Sequence, residues 1–264
     1  MTTRDFAAAL HAERRDLLAF CSTFDDAEWN APSLASGWSV RDVVAHLGAT
    51  CRGMFSPGAL WALLSSNDLE STNEAPVRRR SSWSADRTLA EFATWSGRTV
   101  TLLRASRVPG VGAIRVPLGE LGRYRVESFP AVFAFDWHTH VRYDIAEALG
   151  RAPAPSDDAR MNLVVSWILQ ALEQMGSDST AWLEDRLTLA LEGPGGGRWS
   201  VQPAGDGRLR VSAEPGLTTP ATIRGLTTDL PVWSTTRKSW RDCDIRLSGD
   251  TALAERLLDG IDIV

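Results

Sequence analysis

Three side chains carry the strongest chemical signal in this sequence. Asp136 and His140 are four residues apart in Phe135-Asp136-Trp137-His138-Thr139-His140. On a helix that spacing leaves them offset by only about 40°, so both can turn toward one ion. His46, in Val43-Val44-Ala45-His46-Leu47, lies on or beside the apolar stripe of another helical segment. Alone it would be read as a hydrogen-bonded core histidine. With Asp136 and His140 it completes a set of two imidazoles and a carboxylate, which suits a divalent metal with one position left open.

The same donor set serves non-haem iron oxygenases, where a β-sandwich presents it. Here the ligands would be helical, which favours zinc. His138 falls about 200° around the helix from Asp136 and is excluded from the site. Asp144 continues the Asp136–His140 stripe for another turn. His11, among Glu13, Arg14 and Arg15, reads as solvated or packed. Cys51 is five residues beyond His46 and points elsewhere. Cys21, Cys51 and Cys243 form neither a disulfide framework nor a Cys-x-x-Cys knuckle.

The elements that must position these groups are mostly helices. Phe6, Leu10, Leu17, Phe20, Cys21 and Phe24 recur at helical spacing. Ser39 with Asp42 makes an S-x-x-D capping box, which starts a helix that runs to about Gly53 and carries His46. Residues 64–82 are polar and interrupted by Pro76, so a long loop with at most one helical turn is expected there, with Arg78-Arg79-Arg80 as its solvated basic run. Ser84 to Leu103 predicts a long helix. Pro130 suits a first-turn position, and Ala131 to Leu149 continues helically to a stop at Gly150. After Ala152-Pro153-Ala154-Pro155, Ser156 should cap a helix with Val164, Ile168, Leu172 and Met175 on its buried face. Four or five helices with longish connections predict an antiparallel bundle.

Near Gly176-Ser177-Asp178 the pattern changes. Leu187 to Leu191, Trp199 to Gln202, Leu209 to Ser212, Ala221 to Gly225 and Asp244 to Leu247 read as strands. Helices are expected from Thr228 to Arg237 and from Thr251 to Leu258. Gly193-Pro194-Gly195-Gly196-Gly197 lacks the Gly-Lys-Ser/Thr ending of a phosphate loop and leads into a strand, so it is a turn. The expected organisation is α + (α+β): a helical bundle over 1–178 and a small α+β domain over 184–264.

Composition sets limits on partners. The chain has 264 residues, 44% of them apolar, and a net charge of -5. No concentrated basic surface is available for nucleic acid. No apolar run approaches the roughly 20 residues of a membrane helix. With no cationic-then-apolar leader and no disulfide framework, a reducing cytoplasm is the expected compartment.

Gly37-Trp38-Ser39-Val40-Arg41-Asp42-Val43-Val44-Ala45-His46-Leu47 resembles a signature of the mycothiol-dependent maleylpyruvate isomerase family, within the wider DinB-like group. Asp136-Trp137-His138-Thr139-His140, with Asp144-Ile145 and Ala148-Leu149-Gly150, resembles that family's second signature. The segment from Leu187 to Leu258 resembles its sterol-carrier-like C-terminal domain. The resemblance implies a DinB-like four-helix bundle that binds zinc through His46, Asp136 and His140. It also implies use of the thiol cofactor mycothiol on a small electrophilic substrate, by isomerisation or by thiol transfer. The family's best-known isomerase has glutamate where this chain has Asp136, one methylene shorter. An arginine of the C-terminal domain is tied to thiol use, and Arg237 is the matching residue, as both a catalytic and a cofactor-binding group. A non-catalytic metal-binding protein and a thiol-independent hydrolase using metal-bound water remain the alternatives.

Overall fold

The computed structural model describes residues 3–66, 69–175, 180–213, 216 and 218–263. The change of pattern expected at Gly176-Ser177-Asp178, and with it the end of the first expected domain, lies outside them. The chain divides into two compact units, 1–155 and 156–264.

In the first unit, helix α1 (Thr3–Cys21) buries Phe6, Leu10, Leu17 and Cys21. A short α2 (Asp26–Asn30) follows, closed by a reciprocal Asp25–Glu28 capping box that no apolar periodicity announced. Helix α3 (Val40–Gly53) begins at the expected box. The Asp42 amide donates to Ser39 Oγ at 3.2 Å, and Asp42 Oδ2 accepts from the Ser39 amide at 3.0 Å. Such a cap contributes about 1 kcal/mol.

Helix α6 (Ala85–Leu103) packs closely on α3. The contact turns on Gly48: a Cβ there would sit 3.2 Å from the Phe92 amide nitrogen, so a larger residue would force the helices apart. Helix α7 (Phe129–Thr139) takes Pro130 in its first turn and packs against α1. From His140 to Ile145 the chain winds as a wider π-helical turn, with the Ala146 amide bonded to the Val141 carbonyl at 3.0 Å. Gly150 ends the run at φ 61.

Two expectations fail between α3 and α6. The anticipated loop of residues 64–82 instead contains parts of α4 (Pro57–Ser65) and α5 (Leu69–Arg78), and Pro76 is tolerated in the final turn of α5. The basic run is not uniformly solvated either. Arg80 is buried and forms a two-pronged ion pair with Glu91 of α6, at 2.5 and 2.8 Å, while Arg52 adds a third contact at 3.2 Å. Glu91 is itself buried, and a buried carboxylate requires such compensation. A small hairpin, β1 (Arg115–Pro117) with β2 (Arg123–Arg125), was also not anticipated.

The second unit begins with α8 (Asp158–Leu172), which the sequence had assigned to the bundle. Its N-cap is Asp157, not Ser156; the Asp157 carboxylate accepts from the Arg160 amide at 2.9 Å. The helix belongs with the sheet because its ends bond to it. Asp158 Oδ1 accepts from the Gly195 amide at 2.9 Å, and Glu173 Oε1 from the Val211 amide at 2.8 Å. An apolar stripe shows that a helix is buried but not against what, so this boundary could not be read from spacing.

The five-stranded sheet has the order β5-β4-β3-β6-β7. Its strands are β3 (Leu187–Glu192), β4 (Gly197–Pro203), β5 (Leu209–Ala213), β6 (Ala221–Leu226) and β7 (Arg246–Gly249). All neighbours are antiparallel except β3 and β6. Two helices, α9 (Leu230–Ser234) and α10 (Thr251–Asp259), complete the unit, and α9 is shorter than the predicted Thr228 to Arg237. Leu172, Leu187, Leu189, Ile223, Trp233 and Leu257 share its apolar core. Among the described residues, no helix is long and apolar enough to cross a membrane.

Candidate metal centre

The first unit brings His46 of α3 to the junction of α7 and the π-helical turn. His46 Nε2 lies 3.4 Å from Asp136 Oδ1, and His140 Nε2 lies 3.5 Å from the same oxygen. One donor atom from each of the three residues falls within 4.8 Å of the others. The two imidazole rings meet edge to face, with centroids 5.1 Å apart. His46 is almost fully buried, while His140 and Asp136 retain some exposure. One side of the cluster is therefore walled by protein and the other remains approachable.

The cluster fits a divalent ion chemically. Two borderline imidazole nitrogens and a hard carboxylate oxygen are the donors expected of a three-ligand site with an open position. The arrangement beyond the donors fits as well. His140 Nδ1 stands 2.6 Å from Asp144 Oδ2, and the Asp144 side chain is 0% exposed. With Nδ1–H donating to that carboxylate, the lone pair of Nε2 is directed at the cluster, an outer contact typical of metal-binding histidines. The sequence had placed Asp144 on the stripe of Asp136 and His140 without giving it a role; its aspartate type four residues after a candidate ligand histidine was the available clue.

His138 takes no part, as its position around the helix predicted. It is buried on the other side, with Nδ1 3.6 Å from Glu13 Oε1. Glu13 also pairs with Arg142. Burial alone would raise the Glu13 pKa, but hydrogen bonding and charge from His138 and Arg142 hold it down to about 2. Glu13 shares the helical stripe of Phe6, Leu10 and Leu17, but the charged run Glu13-Arg14-Arg15-Asp16 reads as a solvated face, which hides this inward-facing carboxylate.

Burial pushes the Cys51 thiol well above its ordinary range and Cys21 up to about 12. Neither supplies a thiolate near neutral pH. Arg237 lies in the second unit, where Nη1 donates to Thr235 Oγ1 at 3.0 Å. Thr236, immediately before it, has φ 54, the one positive value for a non-glycine among the described residues. A β-branched residue adopts that conformation only under strain, and strain of this kind concentrates at functional sites.

Residues 10–113 match the family model of the mycothiol maleylpyruvate isomerase N-terminal domain. That range includes His46 and ends before Asp136. No curated protein matches the chain. Two crystal structures of a mycothiol-dependent maleylpyruvate isomerase superimpose on it at a TM-score of 0.53, one of them a His-to-Ala mutant. Each covers 94% of this chain and 93% of its own, at 16% and 17% identity. Residues 10–113 thus resemble the N-terminal domain of the mycothiol maleylpyruvate isomerase family, and over nearly its whole length the chain has the fold of those structures.

Proposed function

We propose that this chain is a metal- and mycothiol-dependent enzyme acting on a small electrophilic acid of the maleylpyruvate type, by cis–trans isomerisation or thiol transfer. The observation that carries the reading is the convergence of His46 Nε2, Asp136 Oδ1 and His140 Nε2 within one donor-sized volume. Zinc is the ion favoured by this donor set when helices present it. Bound there, it would supply the positive charge that keeps a thiol in its nucleophilic thiolate form at neutral pH.

The chain's own residues divide the remaining work. His46, Asp136 and His140 hold the ion, and Asp144 fixes the tautomer and plane of His140. Cys21 and Cys51, kept protonated by burial, leave the reactive sulfur to an external thiol. Arg237 is assigned to thiol use, its planar guanidinium suited to two-point recognition of an oxygen-bearing group. The strained backbone at Thr236 supports a functional role for this turn.

The test is turnover of maleylpyruvate by zinc-loaded protein with and without mycothiol. The proposal expects product only when both the ion and the thiol are present. Turnover that is indifferent to thiol would favour metal-bound water as the reactive species and overturn it.

A further inference from the structure

The two histidines of the cluster are held in different ways. His140 has its carboxylate partner in Asp144. His46 Nδ1 is buried and has no hydrogen-bond partner among the described residues. The outer hydrogen bond that normally fixes a metal-binding imidazole is therefore missing on this side. What lies against the ring is Trp38, with centroids 5.2 Å apart and planes inclined by 40°. That separation falls within the range of favourable aromatic pairs.

Trp38 is itself tightly fixed. Its carbonyl oxygen accepts from the Ser33 amide at 2.9 Å and from Ser33 Oγ at 2.8 Å, and its own amide donates to the Ala35 carbonyl at 3.1 Å. At the far end, the indole N–H donates to Glu74 Oε1 of α5 at 3.2 Å, and Arg78 holds the other carboxylate oxygen at 3.2 Å. The same loop reaches the second metal-bearing element: the Leu34 amide donates to the Asp144 carbonyl at 2.9 Å. One short loop thus braces both sides of the cluster.

We infer that Trp38, clamped by Glu74, is the positioning residue of His46, its indole setting the imidazole plane where a hydrogen bond would otherwise do so. This rests on the metal reading above. It also gives α5 a role: through Glu74, that helix is coupled to the geometry of the metal site.

The test compares zinc affinity, by competition with a chromophoric chelator, and the visible spectrum of cobalt(II)-loaded protein. The variants are Trp38→Leu, Trp38→Phe, Glu74→Ala and His46→Ala, each checked for a native thermal transition. Trp38→Leu should weaken zinc about 10–100-fold, the usual cost of losing an outer-sphere partner, and alter the cobalt bands. Trp38→Phe, which keeps a ring against His46, should recover most of that loss. Glu74→Ala, at a half-exposed position, should shift the cobalt bands without loss of fold. Wild-type affinity and spectrum in Trp38→Leu would overturn the inference; if that variant does not fold, the same result in Glu74→Ala would do so. Failure of the unmodified protein to bind zinc, or unchanged binding by His46→Ala, would instead overturn the metal reading itself.

Discussion

Asp144 and His140 form a 2.6 Å contact across the π-helical turn, with the carboxylate sealed from solvent and the imidazole facing the cluster. In the proposed metal reading, the carboxylate would act on an ion only through the histidine.

Replacing Asp144 with alanine should lower zinc affinity by about 10–100-fold while leaving all three ligands in place. Calorimetric titration of the metal-free variant measures this. Affinity equal to that of the unmodified protein would show that His140 needs no carboxylate to orient it.

Glu13 gives a pH prediction on the other side of the same helix. Its carboxyl is depressed from about 4.5 to about 2 by His138 and Arg142, against the opposing effect of burial. A depressed carboxylate contributes stability that is complete above its unfolded value and is lost as pH falls through its folded one. The chain should thus lose stability between about pH 4.5 and about pH 2. In Glu13→Gln this acid-dependent loss should be smaller, and the variant should be destabilised at neutral pH by about 3–5 kcal/mol because Arg142 is left uncompensated. Urea unfolding across that pH range reads both effects, and parallel pH profiles for the two proteins would refute the assignment.

The legibility of the site in the sequence was uneven, for physical reasons. Helical spacing alone placed Asp136 and His140 on one face and excluded His138, because angular position depends on the local winding. The ring partner of His46 was not legible, since Trp38 reaches it from a loop and tryptophan is common in cores. The π-helical turn was invisible for a related reason: the composition of His140 to Ile145 suits an ordinary helix, and only the bonding distinguishes the two. Arg80 was misjudged because a run of three arginines suggests solvent until the buried Glu91, eleven residues on, is known to face it. In the second unit β6 alternates between buried and more exposed residues, whereas β3 is buried on both faces and the last strand begins at Arg246, two residues beyond the expected Asp244; nothing in the apolar stripe of α8 said that its partner would be the sheet.

The proposed function gives Arg237 a part in thiol use and none in metal binding. Arg237→Ala should keep its ion and lose mycothiol affinity, and Arg237→Lys should rescue little, since an ammonium does not reproduce the planar two-point geometry of a guanidinium. Equilibrium binding of mycothiol to the zinc-loaded variants checks this, and unchanged affinity in Arg237→Ala would show that the residue has no part in thiol use.

The most direct test is the metal content of the purified, zinc-equilibrated and dialysed chain beside its His46→Ala and Asp136→Ala variants. The unmodified protein should hold one ion per chain, and both variants should lose nearly all of it. A wild-type chain without metal, or variants that keep a full complement, would contradict the claim that these three side chains form a metal centre.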